Sequence, residues 1–241
     1  MLDLPDRVCI VTGAGQGIGL AVARGLARRG AKVVATSFQT PRCEEAAWCL
    51  PWDVADANAA DEIVRRVVER FGRVDAMIAN AGIYPRQRWD QITDDDWRQV
   101  VRVNLDGAWY AAKAAAKAMR ERRYGKIVLV SSTEVALGVA VHAHYDAAKA
   151  GVIGLTRSLA RALGADGIRV NAVMPGAVRT PTERQQFPDA DAVDRFCAER
   201  QCLPDRLDPE HVEPTFAFLC SGESDAITGQ VICVDHGLIH W

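Results

Sequence analysis

No charge of one sign dominates this chain. Its 29 Lys and Arg stand against 31 Asp and Glu, the signs are interspersed, and the formal net charge is -2. Nucleic acid and anionic membranes are held by basic stripes, and the sequence offers none. No apolar run approaches the roughly 20 residues of a membrane-spanning helix. Met1-Leu-Asp-Leu-Pro5 carries an acid at once and Arg7 follows, without the apolar stretch of a signal peptide. The seven cysteines, at 9, 43, 49, 197, 202, 220 and 233, are odd in number and form no Cys-x-x-Cys pair. That pattern argues against a zinc site or a disulfide framework. The expectation is a cytoplasmic protein with reduced thiols, no metal, and neither nucleic acid nor membrane as partner. No repeat or linker divides it.

What the chain has is apolar material for one large core: 241 residues, 49% hydrophobic and 25% charged. Arg7-Val-Cys-Ile-Val-Thr12 is a continuous apolar run, suited to a strand buried on both faces of a parallel sheet. It leads into Gly13-Ala-Gly-Gln-Gly-Ile-Gly19, then a helical pattern from Leu20 to Arg29 that ends at Gly30. Lys32-Val-Val-Ala-Thr-Ser37 follows as a second strand. Glycines in such a turn let the backbone approach a pyrophosphate, and the helix N-terminus aims its N–H groups and positive dipole end at it. A nucleotide site is the reading.

The alternation continues. Pro41 and Pro51 leave room for a loop and a brief strand near Trp48, but not for a full crossover helix. Asp56 caps a helix that runs through Phe71, with Ile63, Val64, Val67 and Val68 as its apolar stripe. Strands are expected at 74–79, 126–131, 168–174 and 229–235. Thr93, followed by three acids, opens a long helix to about Arg122. A further helix spans about 144–163, and Asp208-Pro-Glu opens the last one. Residues 177–207, with Pro181, Pro188, Pro204 and many charges, lose periodicity and read as a mobile lid over a substrate.

Tyr145 and Lys149 stand one turn apart on the 144–163 helix. A phenol keeps its proton to a pH of about 10. A nearby ammonium favours the phenolate and lowers that value, as a general acid–base requires. Alone, such a pair is ordinary surface decoration. A methyltransferase could also use the glycine turn, but it has no use for this pair.

Together these segments resemble the short-chain dehydrogenase/reductase family. Thr12-Gly-x-x-x-Gly-Ile-Gly19 has that family's glycine spacing, and Asn80-Ala-Gly82, Ser132, Tyr145-x-x-x-Lys149 and Pro175-Gly176 follow in its order. One departure is Ala79, where the family usually has a first asparagine. The resemblance implies a single Rossmann domain over 1–241, an α/β fold with a doubly wound seven-stranded parallel sheet flanked by helices. It implies hydride transfer with NAD(P), and a catalytic set of Asn104, Ser132, Tyr145 and Lys149. Tyr145 would move the proton, Lys149 would lower its pKa and hold the nicotinamide ribose, Ser132 would donate to the carbonyl oxygen, and Asn104 would hold a relay water. The implied cofactor contacts are Gly13, Gln16, Gly17, Ile18, Gly19, Ser37, Asp53, Val54, Asn80, Ala81, Gly82, Tyr145, Lys149, Pro175, Gly176, Val178 and Thr180.

Ser37 stands where NAD-preferring members carry an acid for the ribose 2′-hydroxyl. Missing repulsion there favours NADP over NAD, with Arg42 as a candidate phosphate partner, although neither Gln16 nor Phe38 is basic. Substrate contacts are expected at Ser132, Glu134, His142 and Tyr145, with Val135, Leu137, Tyr84 and Phe187 as further pocket candidates; His142 and His144 also read as packed side chains. Ile83-Tyr-Pro85, His144-Tyr145 and Val178-Arg-Thr-x-Thr182 are similar to the branch that holds 1-phenylethanol dehydrogenase and pyridoxal 4-dehydrogenase. That implies a secondary alcohol, aromatic or cyclic, and its carbonyl product. A 3-oxoacyl-thioester reductase and a non-catalytic nucleotide sensor are the alternatives. Asp235-His-Gly237 replaces a common Asp-Gly-Gly, and its added side chain is expected to affect a subunit contact. The family usually forms homotetramers through its two long helices.

Overall fold

The computed structural model describes residues 2–187 and 189–240; Pro188, one of the three prolines of the expected lid, lies outside them. In chain order the elements are β1 Val8–Val11, α1 Gly17–Arg28, β2 Lys32–Ser37, β3 Trp48–Pro51, α2 Ala57–Phe71, β4 Ala76–Ala79 and α3 Asp94–Val101. Next come α4 Gly107–Arg120, β5 Gly125–Val130, α5 Glu134–Leu137, α6 Ala143–Leu163 and β6 Ile168–Pro175. The chain closes with α7 Pro181–Gln186, α8 Ala190–Arg200, α9 Pro209–Cys220 and β7 Val231–Val234. The seven strands pair in the order β3-β2-β1-β4-β5-β6-β7, and every pairing is parallel.

The unbroken apolar runs of the sequence follow from this sheet. Val8 and Ile10 of β1 pack into one core with α2, α4 and α6. Cys9 and Val11 pack into a second core with α1 and α9 on the opposite face. A strand covered on both faces has no polar side to alternate with. From β1 the chain winds outward through β2 and β3, then returns to place β4 on the other side of β1. That reversal opens a crevice at the carboxyl ends of β1 and β4, where such sheets bind ligands.

The helix expected from Thr93 to about Arg122 comes in two pieces. Thr93 and Asp96 form a capping box at the start of α3. Arg102–Asp106 is then a π-helical turn, and the Gly107 N–H reaches back to the Arg102 carbonyl. The Asn104 amide donates to the Val100 carbonyl at 2.9 Å. A side-chain donor thus serves the carbonyl that a regular helix would satisfy with backbone, and the extra residue turns Asn104 inward.

Residues 177–207 also differ from the form expected of them. They contain α7, capped by Thr180 with Pro181 in its first turn, and α8, capped by Asp189. Their base is closed by a bridge between Val178 and Leu207. Buried Arg206 ties α7 to α8 through Glu183 and Asp194. Short helices whose stability comes from a tertiary ion-pair network leave little apolar period in the sequence. His236 adopts a positive φ of 55, and its Nδ1 lies 2.7 Å from the Asp205 carbonyl oxygen. Its side chain is engaged within its own chain, at the foot of the lid.

Candidate active site

The glycine turn is fastened to the end of β4. Thr12 Oγ1 accepts from the backbone N–H groups of Asn80 and Ala81, both at 3.0 Å. The Asn80 amide donates to the carbonyls of Thr12, at 3.0 Å, and Gly13, at 3.3 Å. Asn80 therefore shapes the turn. Ala79, in place of the family's first asparagine, is a buried core residue. At Gly19 any β-carbon would collide with the Gly13 carbonyl, so glycine is needed for α1 to start this close to β1. The N-cap of α1, Gln16, makes no side-chain cap, and the amide of Gln16 donates to Thr182 of the lid at 2.8 Å. The uncapped N–H groups belong to residues that line the crevice.

That crevice holds about 1290 Å³. A small-ligand pocket occupies roughly 300–1,000 Å³, so there is room for a dinucleotide and a substrate together. Gly13, Gln16, Gly17, Ile18 and Gly19 line one stretch of it, and Ser37, Asp53 and Val54 the far end. Asn80, Ala81, Gly82, Pro175, Gly176, Val178 and Thr180 complete the wall. Arg42 does not line it: the residue is exposed between buried Pro41 and Cys43. The ring beside Ser37 is instead Phe38, which is 75% exposed.

The four catalytic candidates converge. Lys149 is buried and its Nζ donates to the Val130 carbonyl at 2.8 Å, fixed from behind by Ser131, whose hydroxyl donates to the Lys149 carbonyl. The same Nζ lies 5.6 Å from the centre of the Tyr145 ring. Ser132 stands beyond β5, and its Oγ accepts the Glu134 N–H at 3.2 Å. Asn104 donates to the Ile83 carbonyl at 2.8 Å, while its Oδ1 is buried without a protein partner.

The electrostatics of the pair are set by burial. Burial raises the Tyr145 phenol above its ordinary value; the Glu134 carboxylate pushes the same way and the Ser132 hydroxyl opposes them. Burial also lowers the Lys149 ammonium, to about 8.

Around the catalytic end, Tyr84, Glu134, Leu137 and Phe187 line the crevice, whereas Val135 does not. His142 is fully buried and stands behind that wall. Its ring packs against Tyr84, Tyr145 and Phe187 at centroid distances of 6.0, 5.9 and 6.3 Å. Its polar link to the crevice wall is Glu134, whose Oε2 lies 2.7 Å from its Nδ1. His144 is packed against Gln87. Sequence reasoning missed Arg86, whose guanidinium stacks over Phe187 at 4.4 Å, and Phe196 of α8, which also lines the crevice. Neither has a local signal, since each depends on how the lid folds back over β4.

Comparison with known proteins agrees with this geometry. The family model described as enoyl-(acyl carrier protein) reductase matches residues 13–239. L-rhamnose 1-dehydrogenase (NAD(P)(+)) of Azotobacter vinelandii is 35% identical, over 98% of this chain and 97% of its own. A 3-oxoacyl-(acyl-carrier-protein) reductase of Thermotoga maritima is also 35% identical, over 99% and 100%. A structure assigned as an NAD(P)-dependent gluconate 5-dehydrogenase of Beutenbergia cavernae, with NADP at low occupancy, superposes with a TM-score of 0.90. It is 32% identical and each chain is covered to 98%. The crevice, the turn and these likenesses converge: the chain belongs to the short-chain dehydrogenase/reductase family and is an NAD(P)-dependent oxidoreductase.

Proposed function

We propose that this enzyme interconverts a secondary alcohol, cyclic or aromatic, and its ketone. The observation that carries the reading is the convergence of Ser132, Tyr145, Lys149 and Asn104 beside the crevice wall formed by Tyr84, Leu137 and Phe187. NAD(P), when bound, supplies or accepts the hydride. In the reducing direction Tyr145 gives its phenolic proton to the carbonyl oxygen, and the Ser132 hydroxyl donates to the same oxygen as charge develops there. Lys149 steadies the negative phenol oxygen that results. Gly82 leaves open the space between Asn104 Oδ1 and Lys149 Nζ. A water there accepts from Lys149, donates to Asn104, and returns the proton from solvent. The four groups present together disfavour a non-catalytic sensor.

NADP is the proposed preference. β2 ends on Ser37, which lines the crevice, where a carboxylate at that position would repel a 2′-phosphate. Residues 177–207 act as the substrate lid, and the small-residue faces of α4 and α6 suit assembly into a cytoplasmic homotetramer. Turnover of cyclohexanol, 1-phenylethanol and a 3-oxoacyl thioester with each cofactor tests the reading. Oxidation of the two alcohols with a lower Michaelis constant for NADP supports it. Exclusive reduction of the thioester overturns the substrate class, and a strong NAD preference overturns the cofactor choice.

A further inference from the structure

We propose that Glu134, held by buried His142, selects the substrate by accepting a hydrogen bond from a hydroxyl on the carbon next to the reacting one. The substrate is then a vicinal diol or polyol ring. The inference rests on the proposed alcohol–ketone chemistry at the same site.

Three features place the carboxylate. Glu134 opens α5 two residues after Ser132, and its own N–H bonds the Ser132 hydroxyl. Its backbone is therefore fixed relative to the group that receives the carbonyl oxygen. Its side chain is 23% exposed, and the residue lines the crevice. One oxygen, Oε2, is occupied by His142, which leaves Oε1 to meet a ligand.

His142 has no evident purpose as packing alone. It is buried among three aromatic rings, where an apolar side chain of similar size would fill the space without burying polar atoms. Its Nε2 has no protein partner. What the imidazole adds is the Nδ1–H that holds Glu134 in one rotamer. Asp146 stands beside Glu134 in the same cluster. Its acidity is shifted to about 6, chiefly by burial, with the Val139 N–H opposing and the Glu134 carboxylate adding to the rise. Glu134 thus puts a carboxylate on the crevice wall that Tyr145 also lines, and a purely apolar substrate would desolvate it without giving Oε1 a partner. Sites built to bond a substrate hydroxyl reject the analogue that lacks it, by factors on the order of 10⁴ in favourable cases.

The experiment compares oxidation of trans-1,2-cyclohexanediol, cyclohexanol and trans-2-aminocyclohexanol by the wild type, Glu134→Gln, His142→Leu and His142→Asn. Nucleotide binding, followed by fluorescence quenching, checks that each variant is folded. The wild type is expected to favour the diol over cyclohexanol in kcat/KM by about 100-fold or more. Glu134→Gln is expected to cut that ratio below about tenfold. His142→Leu should reduce it mainly through KM, and His142→Asn, which keeps a donor near the Nδ1 position, should restore most of it. Equal turnover of diol and cyclohexanol by the wild type overturns the inference, as does a diol preference that survives Glu134→Gln. Preference for the amino alcohol over the diol would assign the carboxylate to a cation and overturns it too. Cyclohexanol oxidation without diol preference sinks this inference alone, whereas failure to oxidise any of the three sinks the alcohol–ketone reading beneath it.

Discussion

A β-carbon on Gly82 would stand 2.5 Å from Oδ1 of Asn104 and 3.4 Å from Nζ of Lys149. One glycine therefore keeps open the space between a buried carbonyl oxygen without a partner and a buried ammonium. Gly82→Ala fills that space. It is expected to lower kcat by about 10- to 100-fold, the lower part of the range that general acid–base groups supply. Steady-state kinetics beside nucleotide binding checks this; unchanged kcat would show that no proton passes there.

The pair Tyr145–Lys149 gives a pH dependence with a definite sign. Lys149 is lowered to about 8 and the phenol is raised by burial, so Lys149 loses its charge near pH 8 while the phenol keeps its proton. Only the charged form of Lys149 steadies the phenol oxygen that ketone reduction leaves negative. Ketone reduction measured as kcat/KM should fall as pH rises through an apparent ionisation near 8. In Lys149→Arg the guanidinium stays charged, and the ionisation near 8 should disappear. A wild-type profile that is flat from pH 6 to 10 would contradict the assignment.

Asp146 carries a stability consequence of the opposite kind. Burial and the neighbouring Glu134 raise its folded-state pKa to about 6 from 3.8. The folded chain then binds the proton more tightly than the unfolded one, and stability falls as pH rises from about 4 to 6. Above that range the penalty is fully present. Asp146→Asn removes the charge while keeping an oxygen for the Val139 N–H. Its Tm should exceed the wild type's at pH 8, with the gain vanishing at pH 4; a constant difference would assign the effect to packing.

Buried Arg206 ties α7 to α8 through Glu183 and Asp194, within the segment proposed as the substrate lid. Arg206→Met leaves half-buried Glu183 without its cation and unfastens α7 from α8. Substrate KM should rise about tenfold with a smaller change for the nucleotide, and proteolysis should quicken within 177–207. Equal effects on both KM values would mean that the segment is no substrate lid.

What was legible in the sequence was local. The strand, the glycine turn and α1 are adjacent in the chain, and Tyr145 and Lys149 are one helical turn apart, so spacing reveals them. The π-helical turn was visible only as a misplaced Asn104, because it exists through a side-chain bond to the Val100 carbonyl. The lid helices carry charge patterns that make sense once Arg206 is folded between them. His142 reaches Glu134 across a reversal at Gly138, whose φ is 69, and no periodicity encodes that meeting. The phenol's raised pKa depends on burial, which residue spacing does not report. Arg42 sits near Ser37 in sequence but is not among the residues that line the crevice.

The central claim is that Tyr145 moves the proton that accompanies hydride transfer. Tyr145→Phe deletes one oxygen and leaves the ring against Tyr84 and His142. Measured with a turned-over alcohol and the preferred cofactor, kcat should fall by about 10³-fold or more, with nucleotide affinity within about threefold of wild type. Turnover within a factor of about two of wild type would contradict the account.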